Sequence, residues 1–378
     1  MKSKIILSLI ILFVVLVAVG YFSARIFTKP KEIKIGLLFP LSGNLQDYGK
    51  IARDGAILAI NEFNSQQKRI KVIPEIKNNE GEKEKTEEGI KELIKDEKVL
   101  GIIGPLISSN TFVAGEIAQK EGIVLITPSA THPKISELGD YVFRTCPSDA
   151  WQGIDLARFA VLKLNYRKVA ILYQGDEEYS KGLAEVFEKE INNLGGEIVA
   201  KEEYLKEDTN FESQLKKIKE KEPELIFVPG YTKQAVLIAQ QMKKLGMEKI
   251  QFLGGDGVGS PEFINLGGKS VEGVIATFFF DTKNPDPRVK KFVENYSRVY
   301  GEEPSWIAAH AYDATWVLLD AISKSKKFNR EEIKELVSQT KEYPGVTGNI
   351  TFDQNGDPLN KTILKMRVEG GEWKLVEK

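Results

Sequence analysis

The residue types best suited to chemistry gather in loops that follow short apolar runs. Val99–Ile103 is such a run, and Gly104-Pro105 stops it. Ser108-Ser109-Asn110-Thr111 then offers several capping oxygens for a helix reaching Lys120. Gly122 ends that helix, Ile123–Ile126 is a second apolar run, and Pro128-Ser129-Ala130-Thr131 is a second hydroxyl-rich loop. Both loops leave the carboxyl ends of strands expected to be parallel neighbours, where open α/β sheets bind ligands. Free N–H groups and hydroxyls at a helix start suit an anion such as a carboxylate. Ordinary helix capping accounts for either loop alone, and the pair makes a carboxylate site an equal contender. Asp256, in Gly254-Gly255-Asp256-Gly257, is by type a turn residue or the partner of a cation. Tyr48, Tyr179 and Tyr231 stand at helix starts, where surface or core roles compete with a binding role.

Several chemistries are disfavoured. Ser108 has no histidine in a recognisable nucleophile–base arrangement, and His132 reads as a loop residue rather than a base. Cys146 is the one cysteine, so neither a disulfide within the chain nor a cysteine zinc cluster can form. The two histidines, His132 and His310, lack ligand spacing, and no metal or cofactor is expected. The phosphate-loop pattern is absent, as is a GxGxxG after the first strand. A net charge of −1 gives no nucleic-acid footprint.

The elements that must hold these residues alternate strand and helix. Ile33–Phe39 is a strand with no polar face after Lys34, as in a parallel sheet covered on both sides. Tyr48 to Gln66 reads as a helix with Ile51, Ile57, Leu58 and Ile60 inward. Lys71–Ile76 is a strand and Thr86–Asp96 a helix, so the first part is a doubly wound α/β lobe. The pattern restarts at Ala150–Leu164, a helix, and Lys168–Tyr173, a strand. Strands at Glu197–Tyr204, Leu225–Val228, Ile250–Leu253 and Val271–Phe280 follow, with helices between them. KIGLLFPLSGNLQDYGKIARDGA and KVAILYQGDEEYSKGLAEVF share one order of strand, polar loop and helix, which suggests two similar lobes around a cleft. Trp306, Tyr312 and Trp316 lie on a long helix over Pro304–Ser323 and read as core. Gly345–Gly348 is a flexible joint.

A length of 378 residues with 42% apolar and 28% charged content fits a globular chain of more than one core. Lys2 and Lys4 precede Ile5–Phe22, an apolar run long enough to span a bilayer. An uncleaved anchor is favoured over a cleaved signal, for which Ala18-Val19-Gly20 and Phe22-Ser23-Ala24 are the alternative contexts. No cysteine follows to take a lipid, and the body is placed outside the membrane.

Residues 33–368 resemble, in order, the type I periplasmic binding proteins of the branched-chain amino-acid class, which serve ABC importers. PLSGNLQDYGKIARDGAILAINE resembles the opening signature, and GPLISSNT and ITPSATHPKI resemble the first-lobe ligand loops. YSKGLAEVF, PGYTKQAV and FLGGDGVGSPEF resemble second-lobe loops, and VTGNITFDQNGDP the third crossover with its hairpin. The resemblance implies an α/β fold of two doubly wound Rossmann-like lobes joined by a three-strand hinge. It implies residues 1–30 as signal or anchor, 31–148 plus 280–347 as lobe one, and 149–279 plus 348–378 as lobe two. By the same resemblance Ser108 matches the serine that holds a ligand α-carboxylate. Ser129 matches a backbone contact, with Ala130 beside it, and Thr131 matches a threonine that binds ammonium and carboxylate. Tyr48 matches an aromatic beside the ligand side chain, and Tyr179 and Tyr231 match tyrosines that close over it. Asp256 matches an acid, often Glu in the family, that pairs with the ammonium. Two departures stand out: the family's frequent disulfide beside the carboxylate loop is replaced by Ile107, and Asp256 is one methylene shorter than Glu. The implied function is capture of an amino acid such as leucine, isoleucine or valine by a monomeric, non-enzymatic protein. It would be tethered outside the cell membrane and dock on permease subunits. The alternative is a ligand-sensing ectodomain, for an amino acid, amide or other small carboxylate, coupled to a signalling partner.

Overall fold

A computed structural model of the chain describes residues 30–377. The candidate anchor at residues 5–22 and both cleavage contexts lie outside the described residues. Among the described residues, no helix is long and apolar enough to cross a membrane.

Two sheets organise the chain. The first has five parallel strands in the order β2-β1-β3-β4-β5: β1 (Lys31–Phe39), β2 (Ile70–Asn78), β3 (Val99–Ile103), β4 (Val124–Thr127) and β5 (Val142–Arg144). Every residue of β3 and β4 is buried, which is why those runs carry no polar alternation. The second sheet has the order β14-β13-β10-β9-β8-β6-β7. Its strands β6 (Lys168–Gln174), β7 (Glu197–Tyr204), β8 (Leu225–Val228), β9 (Gln251–Gly254) and β10 (Ile275–Phe278) are parallel. An antiparallel pair, β13 (Leu364–Glu369) and β14 (Glu372–Glu377), extends one edge. The result is the expected α/β architecture of two lobes.

The chain passes between the lobes more than once. After β5, helix α4 (Asp149–Arg158) leads to the second sheet, following α1 (Gln46–Gln66), α2 (Lys83–Lys95) and α3 (Ser108–Glu121) on the first. Second-lobe helices α5 (Glu178–Asn193), α6 (Glu212–Glu220), α7 (Thr232–Lys244) and α8 (Pro261–Gly267) alternate with its strands. After β10 the chain returns as α9 (Pro287–Tyr300), α10 (Trp306–Lys324) and α11 (Arg330–Ser338), which share the first sheet's core. The hairpin β11 (Tyr343–Gly345) and β12 (Gly348–Ile350) then leads back to β13. Residues just after this hairpin still pack on the first sheet. Phe352 meets Phe143 at 5.1 Å between ring centroids, and the Arg144 guanidinium donates to both Asp357 oxygens at 2.5 and 2.9 Å. The lobe boundary expected at 347/348 falls between the two strands of the hairpin, ahead of these first-sheet contacts.

Two elements are shorter than their apolar patterns. The strand expected over Val271–Phe280 spans Ile275–Phe278, because the chain turns at Gly273 with φ +83. The helix expected to reach Leu164 is α-helical to Arg158 and continues as one π turn, Phe159–Lys163.

Candidate functional site

Loops at the carboxyl ends of β1, β3 and β4 meet loops at the carboxyl ends of β6, β8 and β9. They enclose a small pocket of about 20 Å³, room for about one water. From the first lobe Tyr48, Ile107, Ser108 and Ser129 line it, and from the second Tyr179, Tyr231 and Asp256. Leu106, Gly257 and Trp306 complete the wall.

The Ser108 and Ser109 hydroxyls at the helix start are engaged away from their own helix. Ile107 is the residue before α3 and makes no side-chain cap. The Ser108 hydroxyl instead accepts from His132 N at 3.2 Å, tying the two ligand-loop candidates together. The Ser129 hydroxyl donates to Leu106 O at 2.8 Å, a second tie between the same loops. Ala130 and Thr131 are fully buried behind this wall rather than in it. Thr131 Oγ1 donates to Asp149 Oδ2 at 2.8 Å, and its carbonyl accepts from Asp149 N at 2.7 Å.

Asp256 is 4% exposed. Its Oδ1 accepts from the Tyr179 hydroxyl at 2.9 Å and from Gln152 Nε2 at 2.8 Å. Gln152 Nε2 also donates to Asp149 Oδ1 at 2.7 Å, so one amide bridges two buried carboxylates. Gln152 Oε1 accepts from Asp256 N at 3.0 Å and from the Thr277 hydroxyl. Burial pushes the Asp256 carboxyl up to about 6, although both donors work against the shift. Asp149 is held well above the usual carboxylate range, by burial first and by the nearby Asp256 charge second. Such a pair is electrostatically poised for a cation.

Aromatic rings cover this acidic floor. Tyr231 stacks at a tilt on Tyr179, 5.4 Å between centroids, and meets Tyr48 edge-on at 6.2 Å. The Tyr48 hydroxyl donates to Gly257 O at 2.6 Å and lies 2.7 Å from Thr232 Oγ1, so a first-lobe residue is fastened to the second lobe. Trp306 Nε1 likewise donates across the cleft to Gly259 O at 3.1 Å. The indole, read from sequence as core, is buried and also walls the pocket.

His132 stands where a loop histidine would. Its Nδ1 accepts from Lys134 N at 3.1 Å, its ring meets Phe112 edge-on, and burial lowers its pKa to about 4. Among the described residues, no group of three or more His, Cys, Asp or Glu side chains could hold a metal ion.

Sequence reasoning did not single out Asp149, Gln152, Leu106, Thr232 or Gly257. Asp149 and Gln152 lie in the first turn of α4, where polar residues are ordinary. Only the approach of Asp256, 104 residues beyond Gln152, gives them a role.

Comparison with known proteins agrees with this fold. The family model described as periplasmic binding protein matches residues 32–372. A leucine-, isoleucine-, valine-, threonine- and alanine-binding protein of Pseudomonas aeruginosa is 29% identical over 87% of each chain. The crystal structure of a leucine-binding protein, LivK, from Thermotoga maritima superposes with a TM-score of 0.86 at 31% identity, covering 91% of this chain and 97% of that one. The branched-chain amino-acid transporter substrate-binding protein LivJ of Streptococcus pneumoniae, solved with isoleucine, gives 0.86 at 33% identity, covering 92% of this chain and all of that one.

Proposed function

The chain belongs to the periplasmic binding protein family, and from that premise we propose that it is the extracytoplasmic solute-binding component of an ABC importer. Its ligand is an amino acid, branched-chain in the first place, held between the two lobes. The observation that carries this reading is the polarity of the pocket. Hydroxyls and a helix start, Ser108 and Ser129, face a buried acid, Asp256, across tyrosine rings. The α-carboxylate goes to Ser108, with backbone of Ser129 and Ala130 beside it. The ammonium goes to Asp256, with Thr131 acting through Asp149 and Gln152. An aliphatic side chain lies among Tyr48, Tyr179, Tyr231 and the neighbouring Leu106, Ile107 and Trp306. The protein is a monomer that performs no chemical step. Residues 5–22 tether it, and the closed form docks on permease subunits. Residues 31–148 plus 280–347 act as one lobe and 149–279 plus 348–378 as the other, the hinge lying at the crossings. A pocket of about 20 Å³ does not admit a leucine side chain, so binding requires the lobes to part and then close less tightly around the ligand.

Thermal unfolding with each amino acid tests the reading. A ligand at about 100 times its Kd adds about 2.7 kcal/mol of stability. Leucine, isoleucine and valine are expected to raise the Tm. A rise with some other solute and with no amino acid would keep the fold and overturn the ligand.

A further inference from the structure

The cleft does not end at the tyrosines. On their outer side it widens into a chamber of about 720 Å³, within the range of small-molecule sites and large beside the inner pocket. Tyr48, Ile107 and Tyr231 line both spaces and form the partition between them. Of the buried polar side chains that line the chamber, one from each lobe has hydrogen-bonding capacity left over. Asn110, on α3, is 1% exposed, and its Nδ2 has no hydrogen-bond partner. Glu177, just before α5, is 6% exposed; its Oε1 accepts from Ser109 N and Tyr179 N, both at 3.4 Å. The Ser109 hydroxyl is a further partner, and a carboxylate, with about four acceptor sites, has capacity beyond these bonds. An unsatisfied donor and an under-used acceptor in one chamber are the complement of a carboxamide, which presents both a carbonyl and N–H groups. The chamber wall also carries six carboxylates against three lysines, which opposes an anionic tail.

We propose that the outer chamber receives the carboxamide end of a longer amino-acid side chain, so that the protein binds glutamine as well as aliphatic amino acids and rejects glutamate. This rests on the amino-acid reading of the inner pocket and adds the specificity beyond it. The headgroup stays with Ser108 and Asp256, while the side chain passes the partition at Ile107. Asn110 Nδ2 donates to the amide carbonyl, and Glu177 accepts from the amide nitrogen. Burial raises the Glu177 pKa, which a hydrogen-bond donor from the ligand would counter.

Calorimetric titration of the full chain in detergent, with leucine, glutamine and glutamate, tests this. Glutamine is expected to bind and glutamate to give no heat. Asn110→Leu should lower the glutamine-to-leucine affinity ratio about tenfold, the worth of one hydrogen bond whose loss is not regained elsewhere. It should not lower the Tm, because the donor removed has no partner. Glu177→Gln is the second variant and should lower the same ratio, independently of how Asn110→Leu folds. Leucine binding without glutamine overturns the proposal and leaves the amino-acid reading standing. Glutamine binding with a ratio unmoved in both variants also overturns it. Failure of every amino acid to bind overturns both together.

Discussion

At the scale of single residues, Asp256 is the group on which the binding chemistry turns. Its carboxylate is buried, and the side chains that donate to it, Tyr179 and Gln152, are both neutral. A ligand ammonium would therefore gain a desolvated charge partner. Asp256→Asn is expected to cost about 2–5 kcal/mol of amino-acid binding, the usual penalty for leaving a buried charge unpaired. Titration calorimetry reads this directly, and equal affinity would make Asp256 a turn residue. The same group has a pH signature in the free protein. Its pKa is raised from 3.8 to about 6, so in that window the folded state holds its proton more tightly than the unfolded chain does. Its contribution to stability is therefore full below pH 3.8 and lost as pH rises toward 6. Asp149, also raised, acts in the same sense. His132, lowered from 6.5 to about 4, acts in the opposite one, its contribution being lost as pH falls through that range. The opposing slopes overlap, so the informative quantity is a difference. Between pH 4 and 6 the Tm of Asp256→Asn is expected to climb with pH more steeply than that of the unmodified protein. Parallel curves would mean that Asp256 titrates as an exposed carboxylate does.

At the scale of elements, what the sequence exposes and what it hides follow from one cause. Strands buried on both faces, such as β3 and β8, are visible because every residue is apolar. Ser108 and Asp256 stand out as candidates because they follow parallel strands, where ligands bind, and Tyr48 only through the family resemblance. The seam between α1 and α10 is hidden, since it is made of small residues rather than bulky ones. Ala52, Ala56 and Ala59 are fully buried, whereas Ile51 and Ile57, part of the expected apolar stripe, are only half-buried. A Cβ at Gly55 would come within 2.2 Å of the Ala308 carbonyl oxygen, which is backbone and cannot swing aside. Hydrophobic periodicity weighs bulk, so it misses a close approach that depends on the lack of it. Gly55→Ala is expected to cost about 1–3 kcal/mol by overpacking this seam. Chemical denaturation would record a lower midpoint with an unchanged slope. A neutral result would show that the two helices can separate without loss. Asp149 and Gln152 are hidden for a related reason: their meaning comes from a partner on another element, and α4 alone displays only a polar first turn.

At the scale of the whole molecule, the lobes are joined both inside the cleft and at its rim, and the two kinds of contact differ in strength. At the rim, Lys206 pairs with Glu82 at 2.6 Å and Lys233 donates to Asn44 at 3.1 Å, with the ion pair 35% and 50% exposed. Exposed ion pairs contribute about 0–1 kcal/mol and fade as salt screens them. Inside, the half-buried Tyr48 donates its hydroxyl to Gly257 O. Thr232 Oγ1 would keep Ser260 as a partner if Tyr48 lost its hydroxyl, but the Gly257 carbonyl has no second donor as short as Tyr48, the next being Thr232 at 3.4 Å. Tyr48→Phe should therefore remove about 1–1.5 kcal/mol from the closed state and accelerate ligand release by roughly tenfold. Lys206→Ala should change release by less than about fivefold, and by nothing measurable at high salt. Stopped-flow dissociation at two ionic strengths separates these cases. A larger effect from Lys206→Ala would mean that the rim holds the lobes together, with the tyrosine hydroxyl merely following. The expected order places the latch beside the ligand, where closing the lobes and desolvating the Asp256 carboxylate become one event.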